Sequence, residues 1–523
     1  MNWGLFIFIA GAGLAAWAAP TGDATGMFES GIALAREGKW MESRQQLERG
    51  ERQSPNDKRF PIELAGVAFR TGDYETAKRH LRRALELDSN DEYSNDAIGS
   101  LLLITGELEA ALVYWNRIGR PRLNNIDVKA PPTSDRALML RAVRARPGSI
   151  LSLNNIEESK ANLARLDQPG PPRLELVPAS GESYDLKLIS DQQATHTILS
   201  RTLPVVARLP YQTLAYSFRL VPSSAARLDT AFRWDSNKQL ARLGFSAVPD
   251  RDPRWRYSLV AEATNENWDV RYDVARELRL RIKKAGFRFE LERGIGARMT
   301  LRSAVDVSTR LFEGTDPRLQ SSLFQEGLKV KQATGANFTL FESIDQRFRI
   351  DSKATLEVGR VLQGAGPFAS AQVSATAKWL RGTSGRPLEI ASTLSAGRTF
   401  GDVPFDELFN IAMERDSSLW LRGHVGTHEG KKGNAPLGEE YLLWNSDAIP
   451  TIYRNELFRV GCGPFLDLGK VSSRTRRLGG DSTFVDVGVE SRFQLAKAAT
   501  VVVVYGRDTL RGTNVVYTAI RPR

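Results

Sequence analysis

Leu421-Arg422-Gly423-His424 and, about forty residues later, Phe465-Leu466-Asp467-Leu468-Gly469 are the stretches from which the rest of the chain is best read. The first places an arginine between a large apolar residue and a glycine. It opens a glycine- and charge-rich run that extends to Glu440. The second places one aspartate among apolar residues. The planar fork of arginine suits a carboxylate, and a charge held away from bulk water needs a partner.

Upstream, from about residue 205, helical periodicity gives way to alternation. Leu228, Thr230, Phe232 and Trp234 alternate with Arg227, Asp229, Ala231 and Arg233. Leu278, Leu280 and Ile282 alternate with Arg279, Arg281 and Lys283, and Phe287, Phe289 and Leu291 with Arg288, Glu290 and Glu292. Such strict alternation gives each strand one apolar and one charged face. A soluble sandwich also alternates. Many such strands with heavily charged inner faces, following a secretory leader, favour a membrane barrel. Roughly 315 residues at about twenty per strand and turn give about sixteen strands.

This C-terminal region resembles the Omp85 superfamily of outer-membrane barrels. Arg422-Gly423 with Phe465-x-Asp467 resembles the family's signature pair. Val403-Pro404-Phe405-Asp406-Glu407-Leu408-Phe409 and Gly463 to Val471 resemble the segments that flank it. The glycine pair common before the Arg-Gly is replaced by Asn410-Ile411-Ala412-Met413. The resemblance implies that Arg422 and Gly423 lie at the tip of a long loop folded back into the barrel. There the arginine would meet Asp467, near Phe465, on the inner wall. Gly512, Val515 and Tyr517 resemble the signal by which an assembly machine recognises a last barrel strand. Leu510 stands where a polar residue is usual, and the chain ends Ile520-Arg521-Pro522-Arg523 without a terminal aromatic.

Ahead of the barrel, Gly38-Lys39-Trp40, Gly72-Asp73-Tyr74 and Gly106-Glu107-Leu108 recur at a spacing of 34. Ser43, Ala77 and Ala111 keep the same period, as do Leu47, Leu81 and Trp115. A glycine at each inter-helix turn and a small residue where helices touch is tetratricopeptide-like. Residues 121–190 then read as strand, helix, helix, strand, strand. Leu123 to Val128 is the first strand, Asp135 to Val143 a short helix, and Ile156 to Leu166 a second helix capped by Asn154. Arg173 to Val177 and Tyr184 to Ile189 alternate as strands around Ser180-Gly181. That order looks like one POTRA domain, the module that precedes Omp85 barrels.

Residues 1–19 read as a secretory signal peptide, with an apolar core from Leu5 to Ala10 and small residues at Ala16-Trp17-Ala18, although no Lys or Arg precedes Arg36. The net charge of +11 is spread along the chain among acidic residues, so nucleic acid is not the expected partner. A single cysteine, Cys462, excludes an internal disulfide. No nucleophile elbow, P-loop or Cys-x-x-Cys occurs. His424, His428 and Glu429 fall in a glycine-rich loop, so no metal, cofactor or enzymatic activity is expected.

The chain thus reads as multidomain: signal peptide 1–19, α-helical tetratricopeptide-like repeats 27–120, a small α+β POTRA-like domain 121–191, and an antiparallel transmembrane β-barrel 205–523. The resemblance implies outer-membrane protein insertion or polypeptide translocation, with the N-terminal domains in the periplasm. Expected partners are outer-membrane lipids, unfolded or secreted polypeptides and periplasmic accessory proteins. A passive export porin of the exopolysaccharide type, which also joins tetratricopeptide repeats to a barrel, is the alternative reading. A structural or adhesion role is a third.

Overall fold

A computed structural model describes residues 22–522 except 131–134, 167–171, 191–207, 210–211, 221–224, 274–275, 316–322, 346, 383–385, 456–457, 474–481 and 496–498. The leader expected at 1–19 lies outside the described residues. The chain divides into two compact units, Met1–Pro121 and Arg122–Arg523.

The first unit contains helices α1 (Gly22–Arg36), α2 (Trp40–Gln53), α3 (Arg59–Arg70), α4 (Tyr74–Leu87), α5 (Glu92–Ile104) and α6 (Leu108–Trp115). They form three hairpins. At each hairpin turn a glycine takes positive φ: +77° at Gly38, +79° at Gly72 and +83° at Gly106. A Cβ would meet nothing within 4 Å at any of the three, so backbone conformation rather than space requires glycine there. Ser43, Ala77 and Ala111 are buried where paired helices approach, beside the buried Leu47, Leu81 and Trp115. Neighbouring hairpins are tied by ions. Lys58 Nζ lies 2.7 Å from Asp88 and 2.5 Å from Asp91, and Lys78 Nζ lies 2.7 Å from Glu107.

The second unit begins with a three-stranded sheet. Strand β1 (Arg122–Lys129) runs parallel to β3 (Ser183–Ile189), which pairs antiparallel with β2 (Arg173–Pro178). Helices α7 (Arg136–Ala142) and α8 (Leu153–Arg165) lie between β1 and β2 in sequence. Asp135 caps α7 by accepting the Leu138 N–H at 2.8 Å. The cap of α8 is Ser152, whose Oγ accepts the Asn155 N–H at 3.1 Å. Asn154, expected in that role, instead donates to Glu158 at 3.0 Å from inside the helix.

A closed sheet follows. Its wall strands are β4 (Thr213–Arg219), β5 (Arg227–Trp234), β6 (Lys238–Ala247), β7 (Trp255–Asp273), β8 (Arg276–Ile295), β9 (Met299–Glu313), β10 (Gly327–Glu342), β11 (Phe348–Val361), β12 (Pro367–Arg381) and β13 (Leu388–Gly401). After four two-residue strands, β14 (Phe409–Asn410), β15 (Thr427–His428), β16 (Lys431–Lys432) and β17 (Leu437–Gly438), the wall resumes with β18 (Glu440–Arg454), β19 (Phe458–Ser472), β20 (Ser482–Leu495), β21 (Ala499–Asp508) and β22 (Asn514–Pro522). The closed sheet counts seventeen strands among the described residues, β22 returning to β4. About sixteen were expected. The seventeen include β15 and β16, which belong to an inserted segment and not to the wall.

Strand β8 shows how the wall meets its surroundings. Phe287, Phe289 and Leu291 are exposed, Phe287 at 63%, while their charged neighbours turn inward. In the other half the phases trade roles. Leu278, Leu280 and Ile282 are buried inside, Leu280 at 3%, and Arg279, Arg281 and Lys283 face outward. The charged face is therefore not the inner face along the whole strand, as the alternation alone suggested. Exposed apolar side chains recur around the wall at Phe232, Leu259, Leu356, Val373, Leu394 and Val487. An apolar belt of this extent requires a non-aqueous neighbour. The small α+β domain meets the end of the wall where β8 turns into β9: Arg165 donates to Thr300 at 3.2 Å, and Glu157 pairs with Arg298 at 3.5 Å.

Candidate functional site

Strands β13 and β18 pair directly, from Leu388 with Pro450 to Arg398 with Glu440. The 38 residues from 402 to 439 that connect them are not needed to continue the wall. They touch strands on every side of the ring. Phe405 packs against Trp268 on β7 with ring centroids 5.2 Å apart. Arg233 on β5 forks onto Asp416 at 3.0 and 3.2 Å. Lys432 pairs with Trp268 in parallel register. Trp420 meets Tyr517 on β22 edge-on at 5.8 Å. Strands β5 to β7 lie across the ring from the β13–β18 junction at which the segment leaves and rejoins the wall, so the segment crosses the lumen to reach them. This segment is a plug.

The plug has its own core. Phe409–Asn410 pairs with Leu437–Gly438, and Phe409, Ile411 and Leu421 pack with Tyr441, Leu443, Val471 and Phe484 of the wall. A second cluster joins Met413 and Trp420 to Phe465, Val502 and Val504. Burying side chains of this size contributes about 1.5–3 kcal/mol each.

Arg422 sits in a buried turn of the plug. Its backbone N–H donates to Asp467 Oδ2 at 2.8 Å, Nε to the same oxygen at 3.0 Å, and Nη2 to Asp467 Oδ1 at 2.6 Å. Nη1 donates to Glu490 Oε2 at 3.0 Å and Asp447 Oδ2 at 3.3 Å, and Nη2 also reaches the Ser446 carbonyl at 3.2 Å. The guanidinium lies 4.1 Å over the Phe465 ring. Gly423 continues the turn, its N–H donating to Asp486 Oδ2 at 2.6 Å. The fit to the wall is tight enough to dictate glycines. A Cβ on Gly423 would stand 2.5 Å from the Asp486 carboxylate, and one on Gly506 would stand 1.8 Å from the Arg422 carbonyl.

Two further charge clusters hold the plug at other points. In the 3-10 turn Phe405–Glu407, Asp406 pairs with Arg310 and lies 3.2 Å from Lys284. Glu407 pairs with Lys329 and, at 2.9 Å, with Lys331. Glu414 pairs with Lys238, Lys432 lies 2.7 Å from Glu266, and Lys431 lies 2.8 Å from Asp269. Buried ions left without a partner are costly, so each cluster fixes the plug's position more than it adds net stability.

No protein-family model matches the chain, and no curated protein matches its sequence. Solved structures do match. CdiB from Escherichia coli is 12% identical, with a TM-score of 0.52 over 77% of this chain and 75% of that one. The fold is that of the Omp85-superfamily barrels. BamA from Haemophilus ducreyi lacking POTRA domains 1–3 is 11% identical over 76% of this chain and 85% of that one, with a TM-score of 0.43. The second TPR of Spaghetti (RPAP3) bound to an HSP90 peptide is 20% identical over 18% of this chain and 90% of that one, with a TM-score of 0.18.

In this barrel, Arg422, Gly423, Phe465 and Asp467 come together in one buried site. Gly512 takes φ +71° in the turn before β22, and Val515 and Tyr517 pack inward against the Met413–Trp420 cluster. Sequence reasoning missed Asp447, Glu490 and Asp486. All three occupy lumen-facing positions of strands, and the alternation Asp486-x-Gly488-x-Glu490-x-Arg492 is the signal that could have found two of them. It also missed the acidic pair Asp406-Glu407 as an anchor. Its basic partners lie on three strands distant in sequence. His428 and Glu429 lie at the tip of the β15–β16 hairpin, away from His424's neighbours.

Proposed function

We propose that this chain inserts or translocates polypeptide at a bacterial outer membrane, acting by binding and membrane deformation without nucleotide. The observation that carries the reading is the plug latched by Arg422 inside a barrel of Omp85 fold. The apolar belt is the surface for outer-membrane lipids. The small α+β domain, read as POTRA-like, and the helical hairpins stand on the periplasmic side as docking modules for unfolded or secreted chains and accessory proteins. A sheet edge takes an extended peptide by strand addition, and a helical-repeat groove holds a peptide or partner helix. A passive conduit needs an open lumen, and residues 402–439 occupy this one.

The test is reconstitution of the full chain into liposomes, followed by insertion of an unfolded outer-membrane client or transport of a secreted one. The wild-type chain accelerates one of these, and Arg422→Ala loses at least about ten-fold of that rate, the effect of about 1.4 kcal/mol. A wild-type chain that leaves both clients at the rate of empty liposomes refutes the reading.

A further inference from the structure

Two residues beyond Arg422, the His424 ring faces two carboxylates that the Arg422 side chain does not use. His424 Nε2 lies 3.4 Å from Asp486 Oδ1 and 3.4 Å from Asp508 Oδ2. The three donor atoms all lie within 4.8 Å of one another. Both carboxylate side chains are fully buried, and the imidazole is largely so. The plug supplies the imidazole; β20 and β21 each supply a carboxylate.

The carboxylates are pre-oriented. Asp486 gives Oδ2 to the Gly423 N–H at 2.6 Å, and Asp508 gives Oδ1 to the N–H groups of Leu510 and Arg511 at 2.9 and 3.2 Å. The remaining oxygen of each turns toward His424. Asp486 Oδ1 and His424 Nε2 are buried atoms without a hydrogen-bond partner among the described residues. Buried polar atoms rarely stay unsatisfied unless something else occupies the space between them. Around a tetrahedral ion with bonds of about 2.0–2.1 Å, ligand atoms stand roughly 3.3–3.4 Å apart. His424 Nε2 keeps that spacing to both oxygens. The resident cation nearby is Arg511, whose Nη1 lies 2.9 Å from Asp508 Oδ2 with its guanidinium 4.3 Å over Phe484. It neutralises one carboxylate and leaves the other.

We infer that His424, Asp486 and Asp508 bind one divalent first-row transition cation, with water completing the shell. One imidazole and two carboxylates are borderline donors that suit Zn2+, Co2+ or Fe2+ and disfavour soft monovalent copper. The ion would staple the plug tip to β20 and β21 beside the Arg422 latch, a tie that a chelator removes.

The experiment uses the full chain in detergent, stripped of metal and titrated with Zn2+ by calorimetry and with Co2+ by visible absorption. The expected result is one ion per chain and the intense absorption of four-coordinate Co2+. Binding is lost in His424→Gln and in Asp486→Asn and kept in His428→Ala, each variant first shown to fold by heat-modifiability. Absence of binding to the folded wild-type chain, or binding that survives His424→Gln, overturns the site. Should His424→Gln fail to fold, the wild-type Co2+ spectrum decides, since the weak absorption of a six-coordinate aquo-like ion overturns it as well.

Discussion

Arg422 uses its backbone amide and all three side-chain nitrogens, and no other residue type can reproduce that pattern. Lysine offers a point charge without the fork. Arg422→Ala leaves Asp467, Asp447 and Glu490 together in the wall with, among the described residues, Arg492 to offset them, Arg492 lying 2.7 Å from Glu490 and 3.3 Å from Asp447. Removing one partner of a buried ion pair costs about 3–5 kcal/mol. Denaturant unfolding in detergent should show a loss of that order, with Arg422→Lys recovering only part of it. Equal stability of both variants and wild type would contradict the role. Gly506→Ala tests the same site from the wall. Its methyl cannot coexist with the Arg422 carbonyl, so the plug tip must shift, and limited proteolysis should newly cleave the 402–439 segment. Arg422 and Asp467 were legible because each lies in a short motif that resembles a family signature. Asp447 and Glu490 were not, because a lumen-facing carboxylate carries no local mark until the strands are in register.

At the scale of elements, alternation marked the strands well and their surroundings less well. A period of two says that the faces of a strand differ. It does not say which medium each face meets, and on β8 that changes partway along. Phe289 pairs with Leu259 in the apolar belt, whereas Arg281 pairs with Asn267 beyond it. Phe289→Arg is therefore expected to destabilise the barrel by about 2–4 kcal/mol in lipid. Arg281→Ser should stay within about 0.5 kcal/mol of wild type. Refolding titrations in vesicles measure both, and equal effects would show that the belt is misplaced. The 3-10 turn at Phe405–Glu407 was visible only as part of a flanking resemblance. Its anchoring could not be read, because Lys284, Arg310 and Lys329 come from three strands about 80 to 120 residues upstream.

At the scale of the whole molecule, the chain joins a helical unit to a barrel that must satisfy its charges internally. In the helical unit, burial alone would raise the Asp91 carboxyl, but hydrogen bonds from Lys58 and from the Ser94 amide outweigh it and hold the carboxyl below its ordinary value. A carboxyl depressed on folding contributes stability above its unfolded pKa of about 3.9 and loses it as pH falls toward the folded value. Thermal unfolding of this unit within the full chain should drop in midpoint below about pH 4, and the drop should shrink in Lys58→Ala. A midpoint insensitive to that substitution across the same range would remove the pair from the account. The central claim is that residues 402–439 lie inside the wall. The most direct measurement is a disulfide between Trp268→Cys on β7 and Lys432→Cys in the plug, made in a Cys462→Ser background in membranes of the producing cell. These two positions are register partners, close enough for a disulfide whose Cα atoms stand about 4.4–6.8 Å apart. Efficient crosslinking in the heat-modifiable, folded species is the expected result. A folded barrel in which the pair never crosslinks would place the segment outside the lumen and contradict the account.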